Sequence, residues 1–179
     1  MLSDKQFRER ASRELREIAK QVTGLVADRD LYGKVENQAV QPNPPLAGNN
    51  NAFWEMLRGA YTDATTMRLR RLLAPEANLS LRRIIVQLAE YPDLAHQKVT
   101  SRELADDAAE LDTFAAYLKE HVEPHFSAHE RTPGALAATQ RELYRALDRF
   151  IELLKKYYWV VCDRYLDVGS PVPSDRSAH

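Results

Sequence analysis

The fold is decided by residues 100–122, which read TSRELADDAAELDTFAAYLKEHV. Thr100 followed by Glu103 has the spacing of a capping box, in which each side chain accepts a hydrogen bond from the other residue's backbone amide at a helix start. Behind this box, apolar residues recur every three or four positions, which is the period of one helix face. These positions are Leu104, Ala108, Leu111, Ala115, Leu118 and Val122. The stretch therefore predicts an amphipathic helix with one buried face.

The same helical period occupies most of the remaining chain. A first helix is predicted from Ser3 to about Ala27, a second follows the asparagines at 49–51, a shorter one follows Pro75, and the last begins at Thr139. No strand-like alternation of useful length occurs. We therefore predict an all-α fold, an antiparallel bundle of four long helices plus one short helix.

The second predicted helix carries a broad apolar stripe, which we expect to face the core. The stripe consists of Phe53, Leu57, Ala60, Tyr61, Ala64, Met67 and Leu72. Its aromatic residues follow the helical spacing rather than forming a platform for stacked bases, so they too are expected to lie in the core. Trp54 and Trp159 flank the stripes, and either could lie in a dimer interface.

Length and composition fit one domain. The chain has 179 residues, 44% of them apolar, which is enough to bury a core without disulfides or metals. We predict a single helical domain over 1–166, interrupted by a long polar loop at about 28–51 and followed by a disordered tail at 167–179. The loop prediction rests on the glycines, prolines and asparagines of that segment.

Charge and cysteine content narrow the protein class. The formal net charge of −1 means that any nucleic acid would have to bind to a local basic patch. The lone Cys162 excludes a disulfide framework, and no stretch is apolar enough to span a membrane. We expect a cytoplasmic protein without a membrane segment and without a cofactor.

Side chains that titrate near neutral pH are concentrated in residues 120–131, EHVEPHFSAHER, between the last two long helices. His121, His125 and His129 follow each other at spacings of four, which on one continuous helix would place three imidazoles on one face. That arrangement suits a transition metal and is one hypothesis for the segment. Pro124 favours two helices meeting here over one straight helix. A solvated, purely structural His129 is the other simple interpretation.

A second cluster is basic. Arg68, Arg70, Arg71, Arg82 and Arg83 lie within a short stretch that contains one acidic residue, Glu76. Such a cluster attracts a phosphate backbone through counterion release. Alternatively, these arginines pair within the chain with the acidic face formed by Asp106, Asp107 and Glu110.

These residues carry a resemblance to a known family. Phe53-Trp54, Tyr61, the run Arg68-Leu69-Arg70-Arg71-Leu72 and the run Leu79-Ser80-Leu81-Arg82-Arg83 resemble the AbiU-type branch of the HEPN superfamily, a group of helical, phage-defence-associated proteins. The resemblance covers about Phe53 to Tyr165. It implies a HEPN-like bundle, a homodimer, and a phage-defence or toxin–antitoxin setting in which the protein binds RNA or a protein partner.

The resemblance also implies a site. HEPN ribonucleases are metal-independent and pair an arginine with a histidine that follows it after four to six intervening residues, and here Ala128-His129 matches the end of that motif. Glu123 stands where the motif has its arginine, and a carboxylate repels the phosphate that the arginine would bind. The expected catalytic residues are His129 and His125, and the expected RNA-binding residues are Arg68, Arg71, Arg82 and Arg131. Ribonuclease activity is in doubt because of Glu123, which leaves a purely structural interaction module as a further alternative.

Overall fold

In a computed structural model, residues 3–40, 52–74, 77, 79–95, 98–122 and 133–168 are described, and these form α-helices without a β-strand. The helices are α1 (Asp4–Val35), α2 (Ala52–Leu73), α3 (Leu81–Leu88), α4 (Pro92–Ala95), α5 (Ser101–Tyr117) and α6 (Pro133–Cys162). Short π-helical turns extend α1 over Glu36–Val40 and α5 over Leu118–Val122. The all-α prediction is confirmed, with four long helices and, in the described part, two short ones instead of one.

Contacts between distant residues fix the helix directions. At the start of α1, Arg8 donates a 2.8 Å hydrogen bond to the carbonyl of Val161 near the end of α6, whereas Arg29 near the end of α1 pairs with Asp148 at 2.5 Å. These two helices are therefore antiparallel. The same criterion shows that α1 and α2 are antiparallel, because Asp28 pairs with Arg68 whereas Glu36, in the turn after α1, pairs with Arg58. Helices α5 and α6 are antiparallel as well, because Glu103 pairs with Lys156 and Glu110 with Arg149.

It follows that the end of α1, the start of α2, the end of α5 and the start of α6 lie at one end of the bundle. We call this the Tyr32 end, after the buried tyrosine there. The chain leaves the described region at Val122 and re-enters it at Pro133 at this end.

The capping box predicted at the start of α5 is present, and a second capping box closes the start of α1. Ser3 and Gln6 close the start of α1, and Thr100 and Glu103 close the start of α5, with hydrogen bonds in both directions in each box. Each box satisfies two backbone amides that the first helical turn would otherwise leave without a partner. The bundle interior between these helices is one contiguous apolar cluster, in which the rings of Phe7 and Tyr91 stack at 4.1 Å.

The predicted loop at 28–51 is wrong for residues 28–40. Helix α1 continues to Val35, and the π-helical turn extends it to Val40. Gly33 costs about 1 kcal/mol relative to alanine in a helix interior, but Tyr32 keeps the apolar period and is buried against Trp54 and Tyr61. The burial of Tyr32 offsets the free-energy cost of Gly33 in the helix. Residues 41–51 lie outside the described residues.

The last helix begins at Pro133, six residues before the predicted start at Thr139. Proline suits the first helical position, where its missing N–H has no intrahelical partner to lose. At the other end, Asp167 and Val168 belong to the described structure, and Val168 packs against the core. The remainder of the predicted tail, 169–179, lies outside the described residues. None of the described helices is long and apolar enough to cross a membrane.

Candidate functional site

Most of the histidine segment lies outside the residues that the structure describes. His125, His129, Arg131 and Glu123 lie outside the described residues, and of His121 only the backbone, in the π-helical turn after α5, is described. Elsewhere, in the ranges the structure covers, no three His, Cys, Asp or Glu residues come together in a group able to hold a metal. The catalytic pair and the three-histidine metal site therefore both stay predictions.

The arginine cluster is largely paired within the chain. Arg82 donates a 2.5 Å hydrogen bond to Asp112, and Arg68 pairs with Asp28 of α1. The bond to Asp112 raises the pKa of Arg82 above its usual range. Exposed Arg71 makes no ion pair with any residue that the structure describes.

The hypothesis that the arginines pair within the chain is confirmed for Arg68, Arg82 and Arg83, but their acidic partners differ from the predicted ones. Arg83 pairs at 2.9 Å with Glu14 of α1, which is not one of the three acids expected to neutralise the cluster. Those acids are engaged elsewhere, Asp106 with Arg102, Asp107 with Lys156 and Glu110 with Arg149. The sequence pattern could not distinguish one acidic face from another, because the choice depends on which helix lies beside α2 and α3.

An aromatic cluster at the Tyr32 end was missed by the sequence reasoning. The ring of Tyr32 stacks on Tyr61 at 4.3 Å and on Trp54 at 5.5 Å, and Tyr61 meets Tyr144 of α6 edge-on at 6.4 Å. Burial raises the pKa values of both Tyr32 and Tyr144, which keeps the phenols protonated. The cluster joins α1, α2 and α6.

Arg58 is one of the cations that contact this cluster. Its guanidinium lies 3.5 Å from Glu36 and 3.4 Å from Glu55, and its Nε donates to the hydroxyl of Tyr32 at 3.4 Å. Two carboxylates thus balance one arginine, so the cluster offers no uncompensated positive charge to a phosphate. We interpret this cluster as a structural contact that holds the ends of α1, α2 and α6 together.

A shallow groove of about 390 Å³ lies between α5 and α6. Phe114 and Tyr117 contribute aromatic surface, and Arg145 and Arg149 contribute charge. Arg149 is already held by Glu110 at 2.7 Å and by Glu152 at 2.6 Å, and Arg145 by Glu142 at 2.5 Å. Since both cations are neutralised, the groove lacks the charge expected of a nucleic-acid site.

The most distinctive surface is the outward face of α2. It consists of five exposed apolar residues that recur every three or four positions, Phe53, Met56, Ala60, Ala64 and Met67. Phe53 is 64% exposed, Met56 63% and Met67 55%. Most of the stripe that was expected to form the core is therefore on the solvent side, and the prediction was wrong in its direction.

Of the predicted stripe, Leu72 is buried, but most of the core side of α2 is built from other residues. Thr62, Thr65, Thr66, Leu69, Leu72 and Leu73 are buried there. Thr62 and Thr66 donate their hydroxyl hydrogen bonds to the carbonyls of Arg58 and Thr62, four residues earlier, at 2.9 Å and 2.8 Å. With the hydroxyl satisfied by its own helix, a buried threonine presents its methyl group to the core. The signal that could have revealed this was an apolar pattern on both sides of one helix, which is typical of a helix buried in a larger assembly.

Comparison of this chain with protein families, with curated proteins and with solved structures finds no match. The HEPN resemblance accordingly stays a prediction from the residues that carry it.

Proposed function

We propose that this chain is a HEPN-like helical protein that acts by binding another protein through the outward face of α2. The observation that carries the proposal is the exposure of Phe53, Met56 and Met67 along one side of a helix whose other side already supplies core residues. Water contact of apolar surface costs roughly 25 cal/mol per Å², and contiguous exposed apolar patches mark interaction sites. A covering partner removes that cost.

Binding is favoured over catalysis by the charges. Glu123 occupies the position at which the resemblance would place the phosphate-binding arginine. Arg68 and Arg82, which could have supplied a substitute cation, are paired with Asp28 and Asp112. A guanidinium held by a carboxylate must break that pair before it binds phosphate. The phage-defence or toxin–antitoxin setting is part of the proposal and rests on the resemblance alone.

The test compares proteins retained by tagged wild type with those retained by a Met56→Glu, Met67→Glu variant, in extracts of cells that carry the natural gene. The matched control is Ala105→Glu, Ala109→Glu, which places the same two charges on exposed positions of α5. We expect wild type and control to retain the same proteins and the α2 variant to lose them. Retention of the same proteins by all three would overturn the proposal.

RNA binding is the second candidate, and it is favoured by one observation. Arg71, a member of the basic cluster, is exposed near the end of α2. Wild type, His129→Ala and Arg71→Ala should be compared for RNA cleavage and RNA affinity, with size-exclusion chromatography to show that all three stay folded in the same assembly. We expect no cleavage by any of them. Cleavage by the wild type that is lost in His129→Ala would instead establish a ribonuclease with a relocated cation.

A further inference from the structure

The spacing along the outward face of α2 matches that of a second helix. Its residues follow each other at steps of three or four, so they stay on one side of the helix over about 21 Å from Phe53 to Met67, at 1.5 Å per residue. Beyond the first turn, the backbone amides of α2 are bonded within the helix, which leaves no donors for an added strand. A helix of about four turns, with apolar residues at the same period, meets this face along its whole length.

The sizes of the side chains make the centre of this face lower than its ends. Ala60 and Ala64 each present one methyl group, whereas Met56 and Met67 on either side carry long side chains that are more than half exposed. Close packing requires such a recess to be filled. A partner helix therefore needs a large apolar side chain at its centre, such as leucine, methionine or phenylalanine. The unbranched methionines can adapt their shape around it.

The charge at one end of the face specifies a further feature of the partner. Arg71 lies four residues after Met67 on the same side of α2, and it is exposed without an ion pair to any described residue. Arg70, in the same turn, is exposed as well. The complementary group is a carboxylate on the partner, level with Arg71.

This carboxylate also sets the direction of the partner helix. Acidic side chains stabilise a helix in its first turn, where the helix dipole is positive. A carboxylate in the first turn lies level with Arg71 only if the partner begins at the end of α2 and runs towards Phe53. The two helices are then antiparallel, and the positive end of the partner's dipole lies beside the negative end of the dipole of α2.

We propose that the outward face of α2 binds an amphipathic helix of another protein, which runs antiparallel to α2, carries an acidic residue in its first turn opposite Arg71, and inserts one large apolar side chain over Ala60 and Ala64. This inference rests on the proposed function, because it states the chemistry of the partner that this function requires. A second copy of the outward face does not meet the requirement, since its five residues include no carboxylate.

The first test selects helices from a displayed library. The library presents helices of about 18 residues, or five turns, with one face randomised. Wild type is the bait, and helices that also bind the Met56→Glu, Met67→Glu variant are removed. Circular dichroism checks the fold of this variant, which we expect to be preserved because both methionines lie outside the core. Among the remaining helices, we expect Asp and Glu to outnumber Lys and Arg at first-turn positions by at least about 5-fold.

The second test exchanges the charges. Arg71→Glu should weaken binding of the best selected helix by about 3- to 10-fold in fluorescence anisotropy. Replacing the first-turn acid of that helix by lysine should restore affinity for Arg71→Glu protein and weaken it for wild type. Arg13→Glu, at an exposed position of α1, is the matched control and should leave the affinity unchanged.

The third test fills the recess without removing apolar surface. Ala60→Leu with Ala64→Leu should weaken binding of the same helix by at least about 10-fold, because the central side chain no longer fits. A face that binds through apolar area alone would gain affinity from these substitutions.

The fourth test determines direction. In a Cys162→Ser background, the selected helix carries a thiol-reactive group at its N-terminus and is mixed with Arg70→Cys or Ala52→Cys protein. Both positions are exposed, and they lie at opposite ends of α2. We expect the label on residue 70 and little on residue 52.

The outcomes separate the two proposals. If extract proteins depend on α2 but the selected helices show no first-turn acid, no response to the exchanged charges, tighter binding to the leucine variant or the reverse direction, this inference is wrong and the protein-binding function stands. A dimer in light scattering that Met67→Glu dissociates would also overturn this inference, because a second copy would then occupy the face. If neither extract proteins nor library helices depend on α2, both proposals fail.

Discussion

The hydroxyl of Tyr157 in α6 donates a 2.7 Å hydrogen bond to Oδ2 of Asp107 in α5. The same carboxylate oxygen accepts a 2.7 Å bond from the ammonium group of Lys156. Burial and the adjacent carboxylate raise the pKa of Tyr157, so the phenol remains a donor throughout the physiological range. The buried charge of Asp107 is thus compensated from two sides, and the contact joins the two helices that flank the histidine segment.

Replacing Tyr157 by phenylalanine should destabilise the bundle. Tyr157→Phe removes the donor and leaves Asp107 with one partner, and hydrogen bonds to charged groups contribute about 1.5–3 kcal/mol each. We expect a loss of about 1–3 kcal/mol in the free energy of unfolding, measured by urea titration. Tyr165→Phe is the matched control, because Tyr165 is 90% exposed, and it should change stability by less than about 0.5 kcal/mol. Equal effects at the two positions would contradict this interpretation.

The threonines of α2 give a second prediction. Fully buried Thr66 donates its hydroxyl hydrogen bond to the carbonyl of Thr62, which also serves the helix backbone. Thr66→Val keeps the shape and should change the free energy of unfolding by less than about 1 kcal/mol, because no acceptor loses its only partner. Thr66→Ser removes the buried methyl group and should cost about 1 kcal/mol. A valine variant less stable than the serine variant would show that the hydroxyl, not the methyl group, holds this position.

These threonines explain where prediction from sequence succeeded and where it failed. In α5, apolar and polar residues occupy different sides, apart from the buried Asp107, and the cap is unambiguous, so both its start and its buried apolar face could be predicted. In α2, apolar residues occur on both sides, and hydropathy favoured the side with Phe53 and Met67 over the side with the threonines. The hydroxyl groups of Thr62 and Thr66 are satisfied by the backbone of their own helix, which permits these side chains to be buried. A hydropathy pattern does not contain that information.

The candidate site was harder to predict for a related reason. The basic cluster was recognised from spacing, but its neutralisation depends on Asp28, which lies on a helix segment that was expected to be a loop. Once α1 continues past Asp28, that carboxylate faces Arg68. The pairing therefore required the tertiary arrangement of α1 and α2, whereas the capping boxes required local sequence alone.

The capping box of α5 predicts a pH dependence of stability. The backbone amide and the hydroxyl of Thr100 lower the pKa of the Glu103 carboxyl in the folded protein. A lowered folded pKa stabilises the fold above the unfolded pKa of about 4.3, and this contribution is lost as the pH falls through the folded pKa. Glutamine at this position can still accept the bond from Thr100 but does not titrate.

We therefore expect the stability difference between wild type and Glu103→Gln to be largest near pH 7 and to shrink below about pH 4.3. Urea unfolding at intervals from pH 7 to pH 3 measures it. Glu9→Gln, at an exposed position of α1 outside any cap, controls for the general effect of removing a carboxylate. A difference that stays constant or grows on acidification would rule out the charged cap as its source.

The ion pairs of the basic cluster predict a gain of RNA binding. Asp28→Asn with Asp112→Asn removes the carboxylates that hold Arg68 and Arg82 and leaves both guanidinium groups available to phosphate. Affinity for a single-stranded RNA oligonucleotide should rise, and the plot of log affinity against log salt should steepen by about 0.7 for each new phosphate contact. Fluorescence anisotropy across a salt series measures both quantities.

The control must separate freed arginines from net charge. Asp30→Asn with Asp93→Asn changes the charge by the same amount at exposed positions that have no arginine partner among the described residues. We expect this control to bind RNA as weakly as the wild type, because its arginines remain paired. An equal gain in both double variants would mean that net charge alone sets RNA affinity. If neither double variant gains RNA affinity, Asp28 and Asp112 do not suppress a phosphate-binding surface. RNA would then be removed from the candidate partners of the basic cluster.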